Sequence, residues 1–473
     1  MNTLGIPSTG RRNASPALLA AVLMFLALES TMVASLGTPL LPTIQAVDHV
    51  SLVASQWALT ITLLVGAVTT PVLGRLGDGR LRRQTTIGAV VVMLLGCVLS
   101  ALPMGFLAFL VGRAAQGVGL GLVPLVTAVA RDNLPAGRSR STIVLIGITT
   151  AAGIGVGYPL VGLFAQDLGL YAPFWFVAAL SAVALSGAVV VLPASPKRPT
   201  RVDVPGAALL GVGVGGLLLV LAEGPSWEWA LIPTLSGAAA SVALLAVWVV
   251  VELRVSHPLI DLRLLRHRPV LAANVSAFLV AAGFYPLLSL VVRFVQTPPG
   301  AGYGFAAPVA IAGLMLTPFS FASFAASKIA AKAARRTSAE LVIAASCIAL
   351  MGSWVLFLVA RSTYGELVLA MALDGFGVGG VYAVNPLQIT SGVPAAETGS
   401  AISFYQLVRT TAYSVASALS ATVLVAYIPA GQLVPENAGY SAAARISIAV
   451  LAAALIGSVL LVARSKRPDL HRR

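Results

Sequence analysis

Fourteen stretches of this 473-residue chain are apolar enough, over enough length, to cross a lipid bilayer. A bilayer core needs about 20 mostly apolar residues per helix, and in lipid every backbone amide must find its partner within the protein. The stretches cover residues 17–41, 53–73, 85–103, 106–130, 141–164, 173–192, 206–222, 229–251, 270–292, 307–327, 338–360, 367–389, 400–426 and 445–463. An all-α polytopic membrane protein with 14 transmembrane helices is therefore expected. With 58% hydrophobic and 10% charged residues, too little polar surface remains to cover a soluble globule.

The net charge of +14 would point to nucleic acid in a soluble protein. Its distribution argues for topology instead. Of the 30 Lys and Arg, 25 fall at the termini or in alternate loops: after the second stretch (Arg75, Arg80, Arg82, Arg83), the fourth, the sixth, the eighth and the tenth. The intervening loops hold only Arg293, Arg361 and Arg445, while Arg113 and Arg409 lie inside stretches. The positive-inside rule then places both termini and the basic loops in the cytoplasm and requires an even number of spans. The expected location is the cytoplasmic (inner or plasma) membrane, multi-pass, with the lipid bilayer as partner and no nucleic acid.

Arg11 and Arg12 before an apolar stretch imitate an export signal, but about 25 apolar residues with no clear small-residue cleavage site read as a retained helix. Cys97 and Cys347 lie inside stretches, as small apolar fillers. His49, His257, His267 and His471 all lie in loops or the tail, so no metal site is expected. No lysine completes G-x-x-x-x-G-K-[ST], which excludes an ATP-binding P-loop in this chain. The Asn13 and Asn274 glycosylation patterns fall where no glycan would be added, one cytoplasmic and one intramembrane.

Two internal echoes divide the chain. Shifting GRLGDGRLRRQ (Gly74–Gln84) by 253 residues sets it over SKIAAKAARRT (Ser327–Thr337). QGVGLG from Gln116 matches DGFGVG from Asp374 at an offset of 258, and LPAG from Leu134 matches VPAA from Val393 at 259. A nearly constant offset implies two six-helix bundles in the same orientation, at residues 1–200 and 257–473, with a two-helix insert at 201–256. Parallel halves of this kind are a transporter architecture, with substrate bound near the midplane between them.

From this point the chain resembles a known family over essentially its whole length: the major facilitator superfamily, and within it the fourteen-helix drug:proton antiporters. GRLGDGRLRR is similar to the family's loop motif after helix 2, carrying Gly74, Leu76, Asp78, Arg82 and Arg83. RAAQGVGLG is similar to the helix-4 motif, with Arg113, Gln116, Gly117 and Gly119. GIGVGYPLVG resembles the antiporter motif of helix 5 through Gly153, Gly157, Pro159 and Gly162. It departs from that motif where Tyr158 separates Gly157 from Pro159 and where Val161 precedes Gly162. LESTMVASLGTPLLPTI, Leu28–Ile44, resembles the helix-1 motif of the fourteen-helix group.

The resemblance implies a proton-coupled secondary transporter exporting lipophilic drugs or secondary metabolites by alternating access, hence multidrug efflux and antibiotic resistance. It implies no enzyme activity, no cofactor beyond the proton gradient, and a monomer whose partners are protons and a small lipophilic substrate. The altered helix-5 motif keeps open a proton-coupled uptake carrier for a small organic solute on the same scaffold. A membrane enzyme or sensor would need a catalytic cluster or soluble domain that the sequence does not display. By resemblance the Gly74–Arg83 loop is a gating latch, in which Asp78 contacts the facing half and Arg82 and Arg83 hold the cytoplasmic surface. The alternative is that these arginines only set topology.

Ionisable residues within the membrane are functional candidates by default. Glu29 lies twelve residues from either end of its stretch, near the midplane, where burial favours its neutral form and a neighbouring cation such as Arg113 its anion. It is a candidate for proton coupling or for a structural hydrogen bond, and stands where the family usually has Asp. Arg113 would tune a nearby carboxylate or hold a polar network with Gln116, one turn on. Asp374 is the third coupling candidate, followed along its helix by Tyr382, Asn385 and Gln388, and it would either act in coupling or pair with Arg409. Gln116, Asn274, Tyr285, Tyr382, Asn385, Gln406 and Arg409, with Phe284 and Tyr405, suit a broad amphipathic cavity for lipophilic molecules, cations among them.

Overall fold

A computed structural model describes residues 15–465 apart from 78, 196–202, 225–226, 228–230, 256–257, 394–397, 431 and 433. Asp78, the N-terminal Arg pair, the Lys197–Arg201 linker and most of the basic tail lie outside the described residues. The described chain is helical, as backbone satisfaction in lipid requires. Ser15 caps the first helix, α1 (Pro16–Ser35), with its Oγ accepting the Leu18 amide at 3.2 Å. There follow α2 (Leu41–Val47), α3 (Leu52–Gly77), α4 (Arg82–Ala101), α5 (Phe106–Gly117), α6 (Leu122–Asn133), α7 (Ala136–Leu168) and α8 (Ala172–Val191). Next come α9 (Val204–Glu223) and α10 (Ile232–Arg254), then α11 (Arg268–Gln296), α12 (Val309–Met315), α13 (Thr317–Ala334) and α14 (Ala339–Val359). The chain closes with α15 (Tyr364–Gly392), α16 (Thr398–Val425) and α17 (Asn437–Ser465).

Every apolar stretch carries a helix. Among the described residues twelve qualify as membrane spans by length and composition, counting Pro16–Val47, Phe106–Asn133 and Val309–Ala334 as single spans across internal turns. The fifth and thirteenth stretches lie in α7 and α16, which are long helices outside those twelve. Both are rich in Gly, Ser and Thr, a composition suited to packing against protein rather than lipid.

One apolar core joins α1, α3 to α8, with Leu23, Val90, Met93 and Phe174 at its centre. A second lies mainly among α11 to α17 and is anchored by the fully buried Trp354, whose Nε1–H donates to the Gly283 carbonyl at 2.8 Å. These two regions meet where α3 packs on α16 and where α7 packs on α12 and α13. The insert covers the first of these seams, since α9 lies against both α3 and α16, with Leu64, Leu210, Leu218 and Leu407 in one cluster.

The glycines of α7 let it approach both α1 in its own half and, at the second seam, α12. A Cβ at Gly153 or Gly157 would run into Thr31 or Ser35 of α1, and one at Gly162 would stand 2.5 Å from the Val309 carbonyl of α12. Pro159 lies within α7, which nevertheless runs unbroken through it.

Candidate functional site

Glu29 is fully buried on α1. Its Oε1 accepts a hydrogen bond from Ser181 Oγ of α8, while Oε2 has no partner among the described residues. Nor does Glu29 take part in an ion pair there; the salt bridges within 4.0 Å among those residues are Arg82–Asp132 and Arg131–Asp132. Arg113 does not neutralise it.

Arg113, also fully buried, directs its fork elsewhere. Its Nε donates to the Ala58 carbonyl of α3 at 2.8 Å and its Nη1 to Gln116 Oε1, the one-turn spacing seen in the sequence. Nη2 lies against Gly37, where a Cβ would come within 3.0 Å of it, and has no acceptor among the described residues. Gln116 in turn donates from Nε2 to the Gly96 carbonyl and to Ser100 Oγ, both at 3.1 Å. Gln116 is therefore a buried brace between α4 and α5 rather than part of a cavity wall. Gly96 makes this approach feasible, since a Cβ there would lie 2.8 Å from the Gln116 backbone nitrogen.

Asp374 is fully buried on α15, and neither carboxyl oxygen has a partner among the described residues. It does not pair with Arg409. The adjacent Gly375 packs on the backbone of Phe319 in α13, and Gly377, one turn on from Asp374, on Ser346 and Leu350 of α14. Asn385 is buried too, with Nδ2 donating to the Ala273 carbonyl and Oδ1 accepting from Ser276 Oγ, both at 3.2 Å. Asn274 donates within α11 to the Val270 carbonyl at 2.8 Å. Asn385 thus ties α15 to α11, while Asn274 bonds within its own helix. Gln388 faces α14, donating to Glu340 Oε1 at 3.2 Å.

Half-buried polar groups gather instead around Arg409 of α16. Its guanidinium carbon lies 4.7 Å from the Tyr382 ring centroid, 5.7 Å from that of Tyr405 and 6.0 Å from that of Tyr413. Tyr413 donates its hydroxyl to Tyr382 Oη at 2.9 Å and stacks on Tyr285 of α11 with centroids 4.7 Å apart. Phe284 meets Tyr382, Tyr413 and Phe319 at 5.8–6.1 Å. Residues 405, 409 and 413 recur every four positions, which puts them on one helix face. Arg409 Nε and Gln406 Oε1 have no hydrogen-bond partner among the described residues, while the Tyr405 hydroxyl lies beside Asn385 and the Arg409 guanidinium.

The loop motif reaches across to the other half through Arg75, whose Nη2 donates to the Pro258 carbonyl at 2.6 Å, while Arg82 and Arg83 brace their own half. Arg82 is buried, donates from Nε to the Gly77 carbonyl, and pairs through Nη2 with Asp132 of α6 at 2.9 Å. Arg83 donates from Nε to the Leu192 carbonyl after α8 at 3.1 Å, and its amide to Ser195 Oγ at 2.9 Å. Gly74 lies in the last turn of α3.

At the opposite end the structure corrects the sequence reading. Arg293 was expected in a loop, but it lies in the last turn of α11, 6% exposed. It bridges across to the first helices, with Nη1 donating to Gln45 Oε1 at 3.0 Å and Nη2 to Ser55 Oγ at 2.8 Å. Nearby, Gln56 donates to Ser417 Oγ at 2.8 Å and Thr60 shares a 2.9 Å bond with the same hydroxyl. A cavity of about 630 Å³ opens beside Arg293, lined by Gln45, His49, Thr297, Pro435 and Tyr440 among others. Just outside the spans, burial holds the Asp48 carboxyl above the usual carboxylate range, against the pull of the adjacent His49. The missed signal was positional: Arg293 stands one residue beyond an apolar stretch, and its partners lie some 240 residues away.

A family model described as Major Facilitator Superfamily matches residues 19–417. The tetracenomycin C resistance and export protein of Streptomyces glaucescens is 32% identical over 304 residues, covering 62% of this chain and 55% of that protein. The chain thus spans about half the length of that relative. The multidrug resistance protein Stp of Mycobacterium tuberculosis is 27% identical over 397 residues, 82% of this chain and 72% of its own length. The crystal structure of a nucleoside transporter superposes with a TM-score of 0.67 at 14% identity, covering 94% of this chain and 99% of that one, a likeness of fold alone.

Proposed function

The chain belongs to the Major Facilitator Superfamily, a family of membrane transporters, and from that premise we propose that it is a proton-coupled exporter of lipophilic drugs or secondary metabolites working by alternating access. The observation that carries this reading is Glu29: a carboxyl buried in the helical bundle, hydrogen-bonded to Ser181 alone, with one oxygen unpartnered and no cation paired to it among the described residues. A buried anion without a partner is costly, and proton uptake removes that cost, so protonation and the packing of α1 are energetically linked. Asp374 on α15, fully buried with neither oxygen partnered among the described residues, is a second carrier for the proton. Arg113, braced by Gln116 and Ala58, contributes a fixed positive field that biases when Glu29 releases it. Export rather than uptake is favoured by the two resistance relatives.

In this account α7 and α16 complete fourteen spans, and the halves at 1–200 and 257–473 rock about a site between them, with the 201–256 pair bridging the α3–α16 seam. The protein sits in the cytoplasmic membrane as a monomer with both termini in the cytoplasm, an orientation that the distribution of basic loops supports. The Arg293 contacts then close the outer end, and the Gly74–Arg83 loop, stiffened by the Arg82–Asp132 pair, gates the inner one.

The test is substrate-induced proton movement in inside-out vesicles holding an imposed pH gradient, across a panel of lipophilic antibiotics and dyes. Collapse of the gradient by a compound, abolished in Glu29→Gln at normal membrane insertion, is the expected result. Unchanged flux in Glu29→Gln and its loss in Asp374→Asn would move coupling to α15, and substrate-driven flux of the opposite sense would establish uptake.

A further inference from the structure

We infer that the wall formed by Arg409, Tyr382, Tyr413 and Gln406 is a binding site for planar aromatic molecules that carry an acidic group, a carboxylate or a phenolate. The inference deepens the export reading by naming the class of substrate and relies on it only for the direction of movement.

It follows from where the central charges are turned. Glu29, Asp374 and Arg113 are all fully buried, Glu29 bonded to Ser181 of α8, Asp374 with neither oxygen partnered among the described residues, and Arg113 in its own network. Arg409 is the half-buried member of the four, and no carboxylate pairs with it among the described residues. Asp374 precedes Tyr382 by eight residues, about 12 Å along the helix at 1.5 Å per residue. The polar wall is therefore positive, which disfavours an entering cation and favours an anion.

The tyrosines set the shape of the ligand. Arg409 is held by the Tyr382, Tyr405 and Tyr413 rings, as cations are by aromatic faces. An arginine fork matches a carboxylate with two parallel hydrogen bonds, and its Nε is without a partner here. Tyr285 and Tyr413 stack within 21° of parallel and Phe284 lies edge-on beside them, so a flat ring system would meet this aromatic cluster at its half-buried members, Tyr382 and Tyr413. Gln406 Oε1, buried without a donor, would accept a hydroxyl from the same ligand. An anion leaving as a proton enters would move both charges with an inside-negative potential, which adds driving force.

The test is equilibrium dialysis of the full chain in nanodiscs with three probes on one ring system: 9-anthracenecarboxylate, its methyl ester and 9-(aminomethyl)anthracene. The acid is expected to bind at least about tenfold more tightly than the other two, the scale of one charge-assisted hydrogen-bonded pair. Arg409→Gln should remove that preference by weakening the acid severalfold more than the ester, and Arg409→Lys should keep part of it. Preference for the amine, equal binding of all three, no binding of the acid, or equal losses of acid and ester in Arg409→Gln would each overturn the inference. Dialysis needs no gradient, so the two readings fail separately: an acid preference without proton-coupled flux removes the exporter and keeps the site, and the converse does the opposite.

Discussion

Glu29 and Arg113 answer burial in different ways, and single substitutions separate them. Arg113 is fixed by a chain of bonds through Gln116 to Gly96 and Ser100, so Gln116→Leu strands Nη1 of a buried cation. That should destabilise the fold by about 1–3 kcal/mol, read as a lower thermal unfolding midpoint in detergent. An unchanged midpoint would mean Arg113 finds another acceptor at no loss. Glu29→Gln should leave the midpoint near that of the wild type, because the amide can still accept from Ser181 and no ion pair is lost. The sequence displayed part of this. The spacing of Arg113 and Gln116 is helix geometry and was legible, whereas the direction of each side chain depends on residues far along the chain. Nothing local distinguishes a glutamine facing a cavity from one wedged beside Gly96, and nothing local announces Arg293 as the partner of Gln45 and Ser55.

Among the elements, α7 is the most exacting. Gly162 stands against the Val309 backbone with no room for a methyl group, while Gly147 of the same helix has open space around its Cα. Gly162→Ala should lower transport at least severalfold at normal expression, and Gly147→Ala should leave it unchanged, both measured as vesicle uptake. Equal tolerance would show that the α7–α12 approach is not needed for turnover. Hydropathy alone marked where helices run but not where they break. The turn at Thr38–Leu40, the tight turn at Val118–Gly121 and the break at Leu316 all interrupt stretches that hydropathy reads as continuous. Their cues were Pro39, the Gly117, Gly119 and Gly121 series, and Pro318, which propensity allows either to bend a helix or to start one.

At the scale of the molecule, one end is fastened by bonds between the two cores, through Arg293 to Gln45 and Ser55 and through Ser417 to Gln56 and Thr60. Alternating access requires these bonds to part. Arg293→Ala should shift the population toward opening there, so that a cysteine at the buried Leu59, in a Cys97→Ser and Cys347→Ser background, reacts severalfold faster with an impermeant maleimide. Unchanged labelling would remove Arg293 from the gate. The repeat offset and the spread of arginines made the two-part plan legible, because topology and duplication leave marks along the whole chain. The state of the gates leaves none. Coupling itself is tested most directly in proteoliposomes of wild-type protein loaded with a pH-sensitive dye, with substrate flux followed under an imposed gradient and again after nigericin collapses it. Substrate accumulation against its gradient, together with counter-movement of protons and loss of both on collapse, is the expected result. Substrate movement at the same rate and extent with the proton gradient abolished would contradict proton-coupled export.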